Sequence, residues 1–412
     1  MKVFLETIGC KLNQFETEAL SERFKENGFK VVENVEESDI VVVNSCTVTG
    51  RADAKSRNAV SRAKRAGKFV VLTGCYATTD FEKLEELIDA NLIVKNENKF
   101  SIPLLLIKGE LSEEKKDIFP FVSFFEKTRA FIKIQDGCNN FCSYCKIPFA
   151  RGRSVSLEPE RILRFAENLI SKNYKEIVIT GVNISDYNYK GFGLYELVSE
   201  MIKIEGEYRI RLSSLQPDEF DIRFIDLLYN EKFSPHFHIS LQSGSDSVLK
   251  RMNRHYKTEF FLGIVNSIFK KRKDTGLSTD IIVGFPEETE EEFKETLEFI
   301  DKVNFSRLHI FTYSRRENTK AYYMNDLAMT IKKEREKLLK ERFEKNVKIF
   351  VEKEVLNKPQ KVLIEQKEGD LFTGYTGNYF KIYTKKQVKE NEFFDFIPAK
   401  YVIKNTEVEL YD

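Results

Sequence analysis

Cys138, Cys142 and Cys145 form a C-x3-C-x2-C run within Gln135-Asp136-Gly137-Cys138-Asn139-Asn140-Phe141-Cys142-Ser143-Tyr144-Cys145. Three thiolates this close can hold three irons of a 4Fe-4S cube, and the fourth iron is then left without a local protein ligand. A closed four-cysteine site suits electron transfer or structure. An open iron instead keeps a position for substrate chemistry, by the logic that separates catalytic from structural zinc. A zinc site or a set of buried structural thiols is the competing reading, and so tight a cluster makes it the minor one.

The chain has six cysteines in 412 residues, and the other three, Cys10, Cys46 and Cys75, each follow a run of strand character: residues 2–9, 40–45 and 69–74. Amphipathic helical segments separate these runs. Strand-helix-strand alternation builds a parallel sheet, and ligands of such sheets sit just outside the carboxyl ends of the strands. The three thiols are therefore expected at one sheet edge, since three unrelated core cysteines would not all stand at strand ends. Two closed four-cysteine sites would need more thiols than the chain has, so the six divide as three and three. A disulfide framework belongs to small secreted chains, and Met1-Lys2-Val3-Phe4-Leu5-Glu6 opens no apolar stretch suited to a signal peptide. With no run approaching a membrane span, a reducing cytoplasm is the expected setting.

The other elements must position these thiols. At 42% hydrophobic and 32% charged, with a net charge of +1, the chain has core enough for two or three globular units. Arg51, Lys55, Arg57, Arg62, Lys64, Arg65 and Lys68 face Asp53 alone within one helical segment. Such a run is a solvated face by default, and a phosphate-contacting surface if it flanks the thiol edge. A second basic excess spans residues 315–348. The charged stretch Gly109-Glu110-Leu111-Ser112-Glu113-Glu114-Lys115-Lys116-Asp117 reads as a linker, closing an N-terminal α/β unit over residues 1–115. Strand and helix then alternate through residues 124–349. Candidate strands at 130–135, 176–180, 209–213, 236–241, 279–283 and 307–311 make a partial (β/α)6 barrel of the TIM kind, with chemistry at the strand C-termini. A charged amphipathic helix over 330–355 leads into residues 351–412. There, short runs at 361–365, 371–376, 379–384 and 407–410 suggest a small all-β barrel.

The C-x3-C-x2-C spacing resembles the signature of radical S-adenosylmethionine (radical SAM) enzymes. The order of a three-cysteine α/β domain, a radical SAM barrel and a C-terminal β-domain of the TRAM type is similar to the methylthiotransferase family over nearly the whole chain. Ile8-Gly9-Cys10-Lys11-Leu12-Asn13-Gln14-Phe15-Glu16-Thr17 and Val43-Asn44-Ser45-Cys46-Thr47-Val48-Thr49 most resemble the members acting on N6-threonylcarbamoyladenosine in tRNA. Shorter matches follow in order: Arg151-Gly152-Arg153-Ser154, Leu241-Gln242-Ser243-Gly244-Ser245, Met252-Asn253-Arg254 and Asp280-Ile281-Ile282-Val283-Gly284-Phe285-Pro286. Three positions depart from the family pattern. Phe141 stands where arginine is frequent, and Glu287 and Asn318 stand where glycine is frequent.

The resemblance implies conversion of an adenine C2–H to C2–SCH3 at the threonylcarbamoyladenosine beside the anticodon. Isopentenyladenosine in tRNA or ribosomal protein S12 is the alternative substrate, and a non-catalytic iron-sulfur or RNA-binding module is the reading of another class. Two 4Fe-4S clusters are implied. The one on Cys138, Cys142 and Cys145 would bind S-adenosyl-L-methionine and supply an electron for radical formation; the one on Cys10, Cys46 and Cys75 would present sulfur. Partners are the tRNA anticodon stem-loop, an electron donor and a sulfur source, with no membrane. Expected cofactor contacts are Tyr144 near adenine, Gly181 to Asn183 near the methionine amino group, Ser213, Ser214 and Gln242 as polar contacts, and Gly284 and Phe285 on the adenine side. Tyr375 and Tyr379, beside Lys381, Lys385 and Lys386, are expected as exposed aromatics for stacking on RNA.

Overall fold

The computed structural model describes residues 1–109, 117–125 and 128–412; most of the expected linker, residues 110–116, lies outside the described residues. The N-terminal sheet is wholly parallel. Its strands lie side by side in the order Lys30–Val32, Lys2–Thr7, Ile40–Ser45, Phe69–Gly74 and Leu92–Ile93. Every residue of Ile40–Ser45 is buried, as a near-continuous valine run covered on both faces must be. Helix Lys11–Glu26 buries two faces. Leu20 and Phe24 pack on the sheet, while Phe15 and Ala19 enter the core of the next unit.

The middle of the chain alternates strand and helix as expected, with one correction. The strand expected over 209–213 ends at Leu212, and Ser213 separates it from a second short strand, Ser214–Leu215. The parallel strands therefore form two sheets rather than one. Arg209–Leu212, Glu176–Thr180 and Arg129–Lys133 make the first; Ser214–Leu215, His236–Ile239, Gly276–Val283 and Arg307–Thr312 make the second. The barrel does not close. Its free edges are Arg129–Lys133 and Arg307–Thr312, and the N-terminal unit reaches both sides of the seam. Helix Lys11–Glu26 packs beside the first edge, and beyond the second Ser314 Oγ accepts from Gly50 N at 2.9 Å while Arg316 pairs with buried Asp53 at 2.6 Å.

Helix Met329–Glu354 lies along the outer barrel, burying Leu339, Phe343, Val347, Phe350 and Val351. Part of the basic excess at 315–348 is therefore structural: buried Lys332 pairs with Asp326 at 2.6 Å, and buried Arg335 with Glu288 at 2.5 Å. Beyond the helix, six strands form an open sheet in the order Phe393–Phe396, Gln360–Glu368, Leu371–Thr376, Lys381–Thr384, Glu407–Tyr411 and Lys400–Lys404. No strand pairing among the described residues joins its two edges, so the expected small barrel is a sheet here. Two of its strands, Phe393–Phe396 and Lys400–Lys404, were not foreseen, because charged residues interrupt the apolar alternation. Residues Val362, Ile364, Phe372 and Leu410 of this sheet, and Phe380 just before one of its strands, belong to the same apolar core as the barrel.

The C-terminal sheet closes the bottom of the barrel. Arg209 Nη2 donates to Tyr375 O at 2.9 Å, Arg211 Nη1 to Gly377 O at 3.1 Å, and Asn378 Nδ2 to Asp274 O at 2.9 Å. A side-chain carbon added to Gly276 would lie 2.0 Å from Asn378 O, so only glycine admits this turn. Tyr379, which sits at φ 72, stacks on Tyr375 at 5.0 Å beneath the strand starts, with Arg129, Arg211 and Arg307 around its ring. The expectation of two exposed aromatics is thereby corrected: both are half-buried between sheet and barrel.

Candidate active site

The C-x3-C-x2-C loop leaves the strand pair Gln135–Asp136 and Val155–Ser156 at the top of the barrel. Gly137, at φ 74, packs so closely on Arg153 that an added Cβ would lie 2.0 Å from its carbonyl oxygen. A later segment clamps the loop. Ser143 N donates to Met252 O at 3.0 Å, Ser143 Oγ to Arg251 O at 2.8 Å, and Asn253 Nδ2 to the carbonyls of Asn140 and Phe141 at 3.2 Å. Arg254 then brings Nη1 to 3.2 Å from Cys142 Sγ. Burial pushes the Cys138 thiol up to about 11 and the Cys145 thiol up to about 12, so these sulfurs need a cation to become thiolates.

The other three cysteines gather as expected. Cys10 is the N-cap of helix Lys11–Glu26, Cys46 follows Ile40–Ser45, and Cys75 opens the short helix Cys75–Thr79. Gly9 permits their approach: at φ 120, an added Cβ would lie 2.6 Å from Cys46 Cβ and 2.9 Å from its sulfur. Burial raises Cys46 to about 12, and the neighbouring Cys10 and Cys75 add to the push. Burial also raises Cys75, but Arg151 opposes it with Nε 3.3 Å from the sulfur.

Arg151 comes from the barrel and reaches a cysteine of the N-terminal sheet. It is the centre of a buried charge cluster: Arg151 Nη1 to Glu16 at 2.7 Å and to Asp136 at 3.1 Å, Lys99 to Glu16 at 2.5 Å, Lys133 to Asp136 at 2.5 Å and to Glu16 at 3.1 Å. Burial alone would raise the Glu16 carboxyl, yet Arg151, Lys99 and Lys133 hold it well below its usual range. Three cations against two carboxylates leave one positive charge over, beside Cys75. That surplus fits a thiolate, and so a metal-bound trio, better than it fits a neutral buried thiol. Neither Arg151 nor Arg254 was assigned a role from sequence. Both stand inside short matched motifs, and only the fold shows which sulfur each reaches.

Two adjoining cavities lie between the N-terminal cysteines and the C-x3-C-x2-C loop, the second reaching that loop through Tyr144. The larger, about 520 Å³, is lined by Cys10, Cys46, Cys75, Gly181, Ser213 and Ser214 and has Tyr379 on its wall. The smaller, about 200 Å³, is lined by Tyr144 and Gln242 with Val48, Thr49 and Tyr313. Val48 and Asp280 line both. Gln242 sits at φ 69, a strained backbone of the kind held at functional sites. Three expected cofactor contacts line neither cavity. Asn183 is buried, with Nδ2 bonded to Glu219 at 2.7 Å; Gly284 N donates to Glu288 at 2.8 Å; Phe285 is fully buried against Tyr144 and Tyr313. Inside the larger cavity, Asp280 bonds His238 at 3.0 Å and His309 at 3.1 Å. Burial would raise that carboxyl, but the two rings hold it far below its ordinary value.

The departures from the family pattern acquire physical meaning. Arg153 lies over the Phe141 ring at 4.3 Å, so a cation stands beside this loop although position 141 supplies none. Glu287 and Asn318, at φ 62 and φ 65, both occupy the left-handed backbone that glycine adopts freely.

Residues 132–300 match the Radical SAM superfamily, and residues 2–95 match the Uncharacterized protein family UPF0004. A radical S-adenosylmethionine methyltransferase from Kitasatospora setae, TsrM, shares the fold at a TM-score of 0.57 and 14% identity, over 78% of this chain and 74% of that one. The open barrel with its three-cysteine loop thus defines a radical SAM protein, a class whose members use a 4Fe-4S cluster and S-adenosylmethionine. The threonylcarbamoyladenosine tRNA methylthiotransferase MtaB of Aquifex aeolicus is 42% identical over 89% of this chain and 93% of its own. The protein of the same name from Bacillus subtilis is 37% identical over 93% of this chain and 90% of its own. The chain belongs to the radical SAM methylthiotransferase family.

Proposed function

We propose that the protein converts N6-threonylcarbamoyladenosine next to the anticodon of tRNA to its 2-methylthio derivative. The observation that carries this reading is the pair of adjoining cavities, one reaching three cysteines of the N-terminal sheet and the other reaching the C-x3-C-x2-C loop. Cys138, Cys142 and Cys145 would hold the radical SAM cluster, and Cys10, Cys46 and Cys75 a second 4Fe-4S cluster. Bound there, the clusters and S-adenosyl-L-methionine would supply the radical and the sulfur that no side chain here can provide.

The chain's own residues position and exclude. Arg151 and Arg254 each hold a positive charge on one thiol. Tyr144, Gln242, Gly181, Ser213 and Ser214 are the cavity-lining candidates for cofactor contact; Asn183, Gly284 and Phe285 would act from behind them. The Tyr375–Tyr379 turn shuts the barrel bottom against water. Helix Gly50–Arg65 turns Asp53 inward to Arg316 and leaves Arg51, Lys55, Arg57, Arg62 and Arg65 exposed, a basic face suited to the phosphates of an anticodon stem-loop.

The reading carries with it an electron donor, a sulfur source, a cytoplasmic setting and a division at residues 1–115, 124–349 and 351–412. Among the described residues no helix is long and apolar enough to cross a membrane. The test offers one anaerobically reconstituted preparation tRNA with the threonylcarbamoyl group, tRNA lacking it, isopentenylated tRNA and ribosomal protein S12. Mass spectrometry should find methylthiolation of the first alone. Modification of the isopentenylated tRNA or of the protein, with the first untouched, would overturn the assignment.

A further inference from the structure

The larger cavity has an unbalanced charge. Its wall carries three permanent cations, Lys11, Arg151 and Arg307, and one carboxylate, Asp280. Asp280 is taken up by His238 and His309, and Arg151 by Glu16 and Asp136. Arg307 pairs with Glu407 on its outer side. His236, pushed well below its usual range by burial and by Arg211, adds no charge. Lys11 is different. Its ammonium lies 5.3 Å from the Tyr379 ring centroid, and no carboxylate or cysteine sulfur among the described residues receives it. It opens helix Lys11–Glu26, whose first turn holds no acidic residue, so no carboxylate offsets the positive end of the helix dipole. The Tyr379 ring collects both Lys11 and Arg307, the latter at 5.8 Å. The same field is visible on the phenol: burial would raise it, yet Lys11, Arg129 and Arg211 hold it down at about 8.

We propose that Lys11, supported by Arg307 across the Tyr379 ring, receives the carboxylate of the threonylcarbamoyl group and so selects this modified adenosine over one with an apolar N6 substituent. The inference rests on the functional reading above. In that substrate the carboxylate hangs from N6, across N1 from C2. Cys10, Lys11 and Tyr379 line one cavity, so with C2 facing the N-terminal cysteines the substituent on the far side of N1 extends into the space that Lys11 and Tyr379 wall. An isopentenyl group would cover the half-buried Lys11 charge without giving it an anionic partner, which is discrimination by an unmet polar group rather than by size.

The test is equilibrium binding to the full-length, cluster-loaded protein. Three anticodon stem-loops are compared: one with threonylcarbamoyladenosine, one with its methyl ester, one with plain adenosine. Wild-type protein should bind the acid at least about tenfold more tightly than the ester, as expected for a charge-assisted contact. Lys11→Met should bring the acid down to the ester's affinity without changing the other two, and Lys11→Arg should restore the preference. Acid and ester bound alike, both above plain adenosine, would overturn the carboxylate site and leave the substrate assignment standing. Equal binding of all three would instead count against the substrate assignment itself. A uniform loss across all three RNAs in Lys11→Met would make Lys11 a phosphate contact and also overturn the proposal. The acid-to-ester ratio of the wild type decides the first question even if a variant fails to fold, and iron content reports whether it has.

Discussion

The two cysteine trios are brought together by opposite means. Cys138, Cys142 and Cys145 lie within eight residues of one loop, pinned by the Met252-Asn253-Arg254 segment. Cys10, Cys46 and Cys75 come from three strand ends and meet only because Lys2–Thr7, Ile40–Ser45 and Phe69–Gly74 are neighbours in register. Each trio has one arginine on one sulfur. Arg254 and its cysteine belong to the same barrel, whereas Arg151 crosses from the barrel to Cys75 in the sheet. A local site depends on a loop; an assembled site depends on the packing of two units.

The largest expected effect separates the sites by job. Cys142→Ala should abolish both cleavage of S-adenosylmethionine and methylthio product, while Cys46→Ala should abolish product and retain cleavage, measured as 5′-deoxyadenosine released under reducing conditions. Loss of cleavage in folded Cys46→Ala protein would erase the distinction. Iron analysis sharpens it: replacing Cys138, Cys142 and Cys145 together should leave about half of the roughly eight irons expected for two cubes.

Next come the arginines. Arg151→Met breaks a buried ion network and should cost about 3 kcal/mol or more in urea unfolding, with iron lost from the N-terminal trio. Arg254→Met removes contacts to Cys142, Gln216 and Tyr256 but strands no buried carboxylate, and should cost less, about 1–3 kcal/mol, with the N-terminal trio's iron retained. Equal penalties would mean that the interface matters no more than the loop clamp.

The acid side offers a smaller effect. Glu16 titrates below its unfolded value because Arg151, Lys99 and Lys133 outweigh burial, and Asp136 because Lys133 and Arg151 do. Their contribution is therefore complete above the unfolded carboxylate range, about pH 4, and is lost as pH falls through the lower folded values. Urea midpoints should drop steeply below about pH 4, and Glu16→Gln should flatten that drop. The smallest effect is local. Glu287→Gly relieves a left-handed backbone at φ 62 and should raise stability by about 1 kcal/mol without touching either trio.

What could be read from sequence follows the same divide. The C-x3-C-x2-C loop is contiguous, and the valine-rich runs before Cys46 and Cys75 announce buried parallel strands, so both trios were legible. The Glu16–Lys99–Lys133–Asp136–Arg151 cluster was not. Its members are scattered over more than a hundred positions, and each alone looks like an ordinary solvated charge. Tyr379 misled for a related reason: lysines follow it in sequence, but its φ of 72 turns it under the barrel among three arginines. Deleting residues 358–412 would accordingly do more than weaken an RNA grip, since Val362, Phe372 and Leu410 share the barrel core.

Arg151 has one more consequence, for the kinship of such proteins. An N-terminal unit transplanted from a relative would bring its own three thiols, but the charge that Cys75 meets, and the Glu16 that receives the rest of that guanidinium, sit on opposite sides of the junction. The halves are not interchangeable parts. A working hybrid must inherit both sides of that contact together, which makes the boundary between the units a poor place for recombination even though it falls between two independently recognisable families.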